Sequence, residues 1–333
     1  MRAQLAWSIL CSALAAWLFA ACIPRVPAGE APPPEARPAG YSPFAGVSLF
    51  VDPNSNAAHQ ADSWRSSRPA DASLIDRIAR QPQAEWYGDW NGDVARDVAG
   101  RVRQAADAGA LPVLVAYNIP ARDCGQHSAG GAGSSEAYQR WIRQFATGIR
   151  DRPAAVILEP DALGLLDKCL DAGQREQRLA LLRDAVRAIR SRPKASVYID
   201  AGNAKWVPAA EMAERLKGAG IGDADGFALN VSNYMGTADS IAYGEALSTR
   251  LGGAHFVIDT SRNGNGPTAD LAWCNPPGRA LGKPPTTDTG HRLVDAFLWI
   301  KRPGESDGAC NGGPRAGAWW PEQALELARN AGS

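Results

Sequence analysis

The chain has 333 residues, 35 basic against 35 acidic side chains, and 45% hydrophobic residues. Zero net charge argues against a nucleic-acid-binding protein, which usually shows a basic excess or stripe. The composition is globular, with enough apolar material for a large core.

Residues 1–22 read as an export signal. Arg2 gives a positive start, Leu5 to Ala21 is a nearly unbroken apolar run, and small residues follow at Ala20-Ala21. Two other readings stand beside it. The run barely reaches the roughly 17–25 residues of a membrane span. Cys22, after Leu18-Phe19-Ala20-Ala21, resembles the lipid-modified cysteine of a bacterial lipoprotein, with Phe19 an imperfect fit. All three place the body outside the cytoplasm, secreted and extracellular, with a lipid on Cys22 as a route to membrane attachment. Residues 23–42 carry Pro24, Pro27, Pro32, Pro33, Pro34 and Pro38 among Ala, Gly and Glu, and read as an extended linker. From 43 to 333 there is no second linker, repeat or low-complexity tract, so one domain is expected.

Within that domain, short β-branched or aliphatic runs alternate with helical patterns. The runs are Val47–Val51, Val113–Tyr117, Ala155–Leu158, Ser196–Ile199, Phe227–Val231, His255–Ile258 and Ala296–Ile300. Helical segments include Val94–Ala108, Glu136–Arg150, Arg175–Arg190 and Glu211–Leu216. This alternation predicts the α/β class: a single distorted parallel β/α barrel of about seven strands, incomplete relative to eight. Polar residues crowd the strand ends, the active face of such a barrel. They are Asp52, Tyr117 with Asp123, Glu159 with Asp161, Asp200, Asn230, Asp259, and Lys301 with Glu305 and Asp307. Carboxylates among aromatics suit acid-catalysed cleavage of a sugar. Helix capping or ion pairing is an equally good reading of Asp52 and Asp259.

Of six cysteines, Cys11 and Cys22 fall in or at the end of the signal. The remaining Cys124, Cys169, Cys274 and Cys310 are an even set, which in an exported chain favours disulfides, with three pairings open. There is no CxxC pair and the four histidines are scattered, so neither a metal nor another cofactor is expected.

Two segments carry the chemistry. Tyr117-Asn-Ile-Pro-Ala-Arg-Asp-Cys124 ends a strand on an aromatic and an Arg122–Asp123 pair, then enters the loop Gly125-Gln-His-Ser-Ala-Gly-Gly131. No Gly-Lys-Ser/Thr follows, so it is not a phosphate loop. Val156-Ile-Leu-Glu-Pro-Asp-Ala-Leu-Gly164 leaves a buried strand, turns at Pro160 and presents Asp161. Together they resemble the two signature regions of glycoside hydrolase family six, the cellulases once called family B. Further matches follow in the family's order: Tyr198-Ile-Asp-Ala-Gly202, Leu229-Asn-Val-Ser-Asn233, Val257-Ile-Asp-Thr-Ser-Arg-Asn-Gly264, Trp273-Cys-Asn-Pro-Pro-Gly-Arg279 and Trp299-Ile-Lys-Arg-Pro-Gly-Glu-Ser-Asp-Gly308. The resemblance covers about residues 45–330.

It implies an inverting β-1,4-glucanase with Asp161 as general acid and Asp123 as the neighbour that raises its pKa and helps organise water. Arg122 is suited to hold Asp123 ionised. Inversion asks for carboxyls on the order of 6.5–9.5 Å apart. Asp307 holds the position proposed for the base, and a water chain through the 125–131 loop is the competing account. Tyr117 would press on the sugar at the cleavage point. Asp200 would be a further active-site carboxylate, with helix capping as the alternative. Trp86, Trp206, Trp273, Lys301 and Glu305 match glucosyl-binding positions, and Arg122, Asn203 and Asn230 complete that set. Many members carry histidine where Asn203 stands, and Asn cannot become cationic. Core packing is the reading for Trp141 and Trp299, while Trp319 and Trp320 stay undecided.

The resemblance also implies the disulfides Cys124–Cys169 and Cys274–Cys310. The short loops after Cys124 and between Cys274 and Cys310 predict an open cleft and endo cleavage of β-1,4-glucan by a monomer. No cellulose-binding module is visible, which favours soluble or amorphous glucan. The alternatives are an exo-acting cellobiohydrolase, a hydrolase of another β-glucan, and a non-catalytic glycan-binding protein, which intact Asp123 and Asp161 disfavour.

Overall fold

The computed structural model describes residues 42–332. The expected signal at 1–22 and nearly all of the 23–42 linker lie outside the described residues. Seven parallel strands form one curled sheet. In spatial order they are β2 (Glu85–Tyr87), β4 (Val113–Ala116), β5 (Ala154–Leu158), β6 (Ala195–Asp200), β7 (Gly226–Leu229), β8 (His255–Asp259) and β9 (Val294–Leu298). Helices α3 (Val94–Asp107), α4 (Ser135–Ile149), α5 (Ala172–Arg190), α6 (Ala209–Gly218) and α7 (Thr237–Arg250) make the crossovers as far as β8. The β8–β9 crossover is loop throughout, and with the segment after β9 it supplies one wall of the site.

Strand periodicity sorts the core into two layers. Ala154, Val156 and Leu158 face the helices together with Val197, Ile199, Phe227 and Phe256. Ala155 and Ile157 point the other way, filling the sheet's concave side with Val115, Tyr198, Val257 and Leu298. Burial on both sides explains why these strands are continuously apolar. The helices start on side-chain caps. Ser134 accepts from Ala137 N–H at 3.1 Å, after which Tyr138, Ile142, Phe145 and Ile149 recur on one buried face. Asp171 and Gln174 form a reciprocal capping box on α5.

One expected strand is wrong. Of Val47–Val51 only β1 (Ser48–Leu49) is extended, and it pairs with β3 (Ala110–Leu111) in a separate two-stranded sheet. The seventh strand of the main sheet is β2, three residues of Glu-Trp-Tyr with no aliphatic run to betray them. The sheet does not close: β2 and β9 are its two edges. Their seam is stitched by Ala84 N–H donating to Trp299 O at 3.0 Å, by Trp86 Nε1 on Ile300 O at 2.8 Å, and by the Arg302–Glu85 ion pair at 2.8 Å. Helices α1 (Asn56–Trp64), α2 (Pro69–Ala79) and α8 (Pro321–Asn330) share a third core cluster with Leu281 and Trp299. Among the described residues no helix is long and apolar enough to cross a membrane.

Candidate active site

At the carboxyl ends of the strands the backbone repeatedly enters the left-handed region at residues with side chains. Ala121, Asp123 and Cys124 after β4, Glu159 and Asp161 after β5, and Asn230 and Ser232 after β7 all have positive φ. Each such residue costs on the order of 1–3 kcal/mol and persists only where its surroundings over-determine it. Here buried carboxylates do so by collecting backbone N–H groups. Glu159, fully buried, accepts from Asn118 and Ile119 at 2.9–3.0 Å and anchors the loop leading to Asp123. Asp200 accepts from Asp161 N–H at 3.0 Å and Gly202 N–H at 3.1 Å. Asp259 collects the N–H groups of Ser232, Ser261, Ile300 and Lys301, so it staples three loops, being neither a helix cap nor one half of an ion pair. Asp52 is ion-paired with Arg101 at 2.9 Å.

The loops enclose a cleft of about 880 Å³. Tyr117, Asp123, Asp161 and Asp307 line it, as do Arg122, Asn203, Lys301 and Glu305 and the rings of Trp86, Trp206 and Trp273. Trp206 is seated so closely that a Cβ on Gly164 would lie 2.6 Å from its ring. Trp86 meets Tyr117 edge-on, with centroids 5.2 Å apart. Asp200 and Asn230 are the exceptions, being buried beneath the wall. Asn230 is no substrate ligand: its amide donates to Met235 O and Asp259 O and accepts from Met235 N–H. Arg122 makes its hydrogen bonds away from Asp123. It pairs with Asp89 at 3.0 Å and bonds the Tyr117 and Ser128 carbonyls at 2.8 Å. Its direct partners are therefore elsewhere, and it acts on Asp123 through its charge, while the Ser128 N–H donates to Asp123 Oδ2 at 2.7 Å.

The carboxyls are poised apart. Burial, with the charges of Asp200, Asp123 and Asp307, pushes Asp161 well above the carboxylate range, against a pull from the Tyr117 hydroxyl. Burial raises Asp123 as well, opposed by the Ser128 N–H and by His127 and Arg122. Burial brings Asp200 up to about 7, the two backbone N–H groups pulling down and Asp259 pushing up. Asp307 goes the other way. Burial would raise it, but the Arg262 guanidinium at 2.9 Å and Lys301 at 3.5 Å hold it below its ordinary value. Arg262, the Tyr234 hydroxyl and Asn275 N–H all reach its Oδ2, while Lys301 faces Oδ1.

Disulfides join Cys124 to Cys169, tying the Asp123 loop to the segment after Asp161, and Cys274 to Cys310, tying the β8–β9 loop to the Asp307 loop. Trp141 and Trp299 pack in the core. Sequence reading missed Trp90, an exposed ring on the cleft wall stacked over Arg122 at 5.2 Å, and Arg262, the buried counter-charge of Asp307. The signal for Arg262 was present in Ser261-Arg262-Asn263, a cation inside an otherwise buried strand-end segment.

The sequence model of Glycosyl hydrolases family 6 matches residues 44–331. Endoglucanase A of Cellulomonas fimi is 49% identical over 285 residues, which is 85% of this chain and 61% of that protein. Endoglucanase A of Thermobispora bispora is 47% identical over 87% of this chain and 62% of its own length. The chain thus spans under two thirds of either relative. Among solved structures, endoglucanase Cel6 of Mycobacterium tuberculosis, in complex with methyl-cellobiosyl-4-deoxy-4-thio-β-D-cellobioside, superposes with a TM-score of 0.84 at 46% identity, covering 88% of this chain and 100% of that one.

Proposed function

The chain belongs to the glycosyl hydrolases of family 6, and from that premise we propose that it is a secreted, inverting endo-β-1,4-glucanase. What supports the mechanism is the split between Asp161, which burial and neighbouring carboxylates drive well above the carboxylate range, and Asp307 in the same cleft, which Arg262 and Lys301 hold below its ordinary value. Two carboxyls whose environments drive their pKa values apart are what an acid and a base require.

The glucan lies across the cleft with the scissile oxygen at Asp161. As the C1–O bond breaks, Asp161 passes its proton to the leaving oxygen. A water attacks C1 from the opposite face, its oxygen bonding to carbon with inversion while its proton goes to Asp307 through Oδ1. A carboxylate with a lowered pKa is a weak base. It suffices because the sugar becomes oxocarbenium-like, and the water acidic, before that proton leaves. Negative charge on Asp123 and Asp200, to the extent that each is ionised, favours retention of the Asp161 proton. Trp86, Trp206 and Trp273 offer ring faces to glucosyl C–H faces, and Lys301, Glu305 and Asn203 offer polar groups to hydroxyls.

The test is hydrolysis of carboxymethylcellulose, with viscosity and reducing ends followed together and Asp161→Ala as control. A fast fall in viscosity with few new reducing ends, lost by at least about a hundredfold in the variant, is the expected result, since general acid catalysis contributes about 10²–10⁴-fold. A variant that keeps most of its activity would remove Asp161 from the acid role. Activity on amorphous cellulose without a fall in viscosity would indicate exo action.

A further inference from the structure

His127 belongs to the loop that carries the partner of Asp123, yet its ring packs on the loop that carries Asp307. Its centroid is 5.8 Å from that of Trp273, and a ring nitrogen lies within 4.8 Å of the sulfurs of the Cys274–Cys310 disulfide. The backbone of Gly308 approaches so closely that a Cβ there would stand 2.4 Å from the ring. The next residue along, Ser128, gives its N–H to Asp123 Oδ2 at 2.7 Å. The base of the loop is fixed separately, by Arg122 on Ser128 O and by Gly131 N–H on Asp89 at 3.2 Å.

We propose that His127 is a positioning residue: seated between Trp273, the disulfide and Gly308, it locks the Asp123 loop to the Asp307 loop and so fixes the Ser128 N–H on Asp123. The reading rests on the catalytic assignment above. One side of the ring bears on the residue next to Asp307, and the chain on the other side ends on Asp123, so this exposed residue couples two loops that are each also held on their own. The requirement for glycine at 308 follows, because a side chain there would occupy the place of the ring. Loss of the seat leaves Ser128 held only through its carbonyl on Arg122, its N–H less well aimed at Asp123, and Asp123, which faces His127, Arg122, Asp161 and Tyr117, then ionises at higher pH.

The experiment compares wild type, His127→Ala, His127→Gln and Gly308→Ala, the last reaching the same contact with histidine retained. Expected are a fall in kcat of about tenfold or more in His127→Ala and Gly308→Ala, since misplacing reacting groups by about 1 Å can cost about a hundredfold. KM should stay within about twofold, the acid limb of the pH profile should move to higher pH, and His127→Gln should recover part of kcat. A wild-type kcat and pH profile in either of the first two variants, or a change confined to KM, would overturn the proposal. The Ser128 amide proton, followed by NMR in the resting protein, reports the hydrogen bond without turnover. Its exchange with solvent must quicken in His127→Ala and in Gly308→Ala, where residue 127 is unchanged, and unchanged protection in both would also overturn the proposal, even if the catalytic assignment failed on its own.

Discussion

At the scale of single residues, the site is a set of carboxylates separated by what each touches. Asp161, Asp123 and Asp307 line one cleft, but only Asp307 has a buried cation against it. Asp200 acts from beneath, through its bond to the Asp161 backbone and through its charge. Asp200→Asn removes that charge while leaving an amide oxygen to accept the two N–H groups. A like charge raises a carboxyl pKa, so removing it lowers that of Asp161. The alkaline limb of the activity profile, where Asp161 loses its proton, is therefore expected to move to lower pH. A limb that stays in place would show that Asp200 does not set the acid's pKa. The sequence picked out Asp161, Asp123 and Asp307 by their place at strand ends within recognised motifs. It misjudged Asn230, and it did not foresee the Asp89 partner of Arg122, because hydrogen-bond partners depend on which way a loop turns.

Among elements, the strands are rigid and the loops above them are pinned. Both disulfides pin loops to each other near the cleft, Cys124–Cys169 beside Asp123 and Cys274–Cys310 beside Asp307. None of the four cysteines lies in a strand of the seven-stranded sheet or in a helix of its outer layer. Reduction is therefore expected to lower kcat well before it unfolds the barrel. The check is activity and far-UV circular dichroism across a dithiothreitol titration, and coincident loss of both would mean that the crosslinks hold the whole fold. Strand β2 shows the limit of pattern reading at this scale. Three residues ending a strandless stretch make no periodicity, and only the vacancy beside β4 makes them a strand.

For the whole molecule, a buried acid makes stability depend on pH. Burial brings Glu159 up to about 7, against the pull of its backbone N–H partners and Tyr138. In the unfolded chain the same group ionises near its ordinary 4.5. Between those values the folded state holds more protons, so this group's contribution to stability falls as pH rises through the window. Glu159→Gln removes that dependence. The difference in Tm between variant and wild type should shift in the variant's favour from pH 5 to pH 8, and a gap independent of pH would show that Glu159 is ionised in the folded protein throughout.

By itself the sequence determined the class of the fold, since apolar runs of strand length alternating with amphipathic helices admit a parallel sheet and little else. It also marked the carboxylates and tryptophans of the cleft, because motifs keep residue identity and spacing. Tertiary structure alone decided which strand completes the sheet, that the sheet stays open between β2 and β9, and which groups drive the carboxyl pKa values apart. Those outcomes depend on burial and on partners distant in sequence: Arg262 lies 45 residues from Asp307, and Asp200 lies 39 from Asp161. Electrostatic energy follows separation in space, and the order of residues along the chain does not encode that separation.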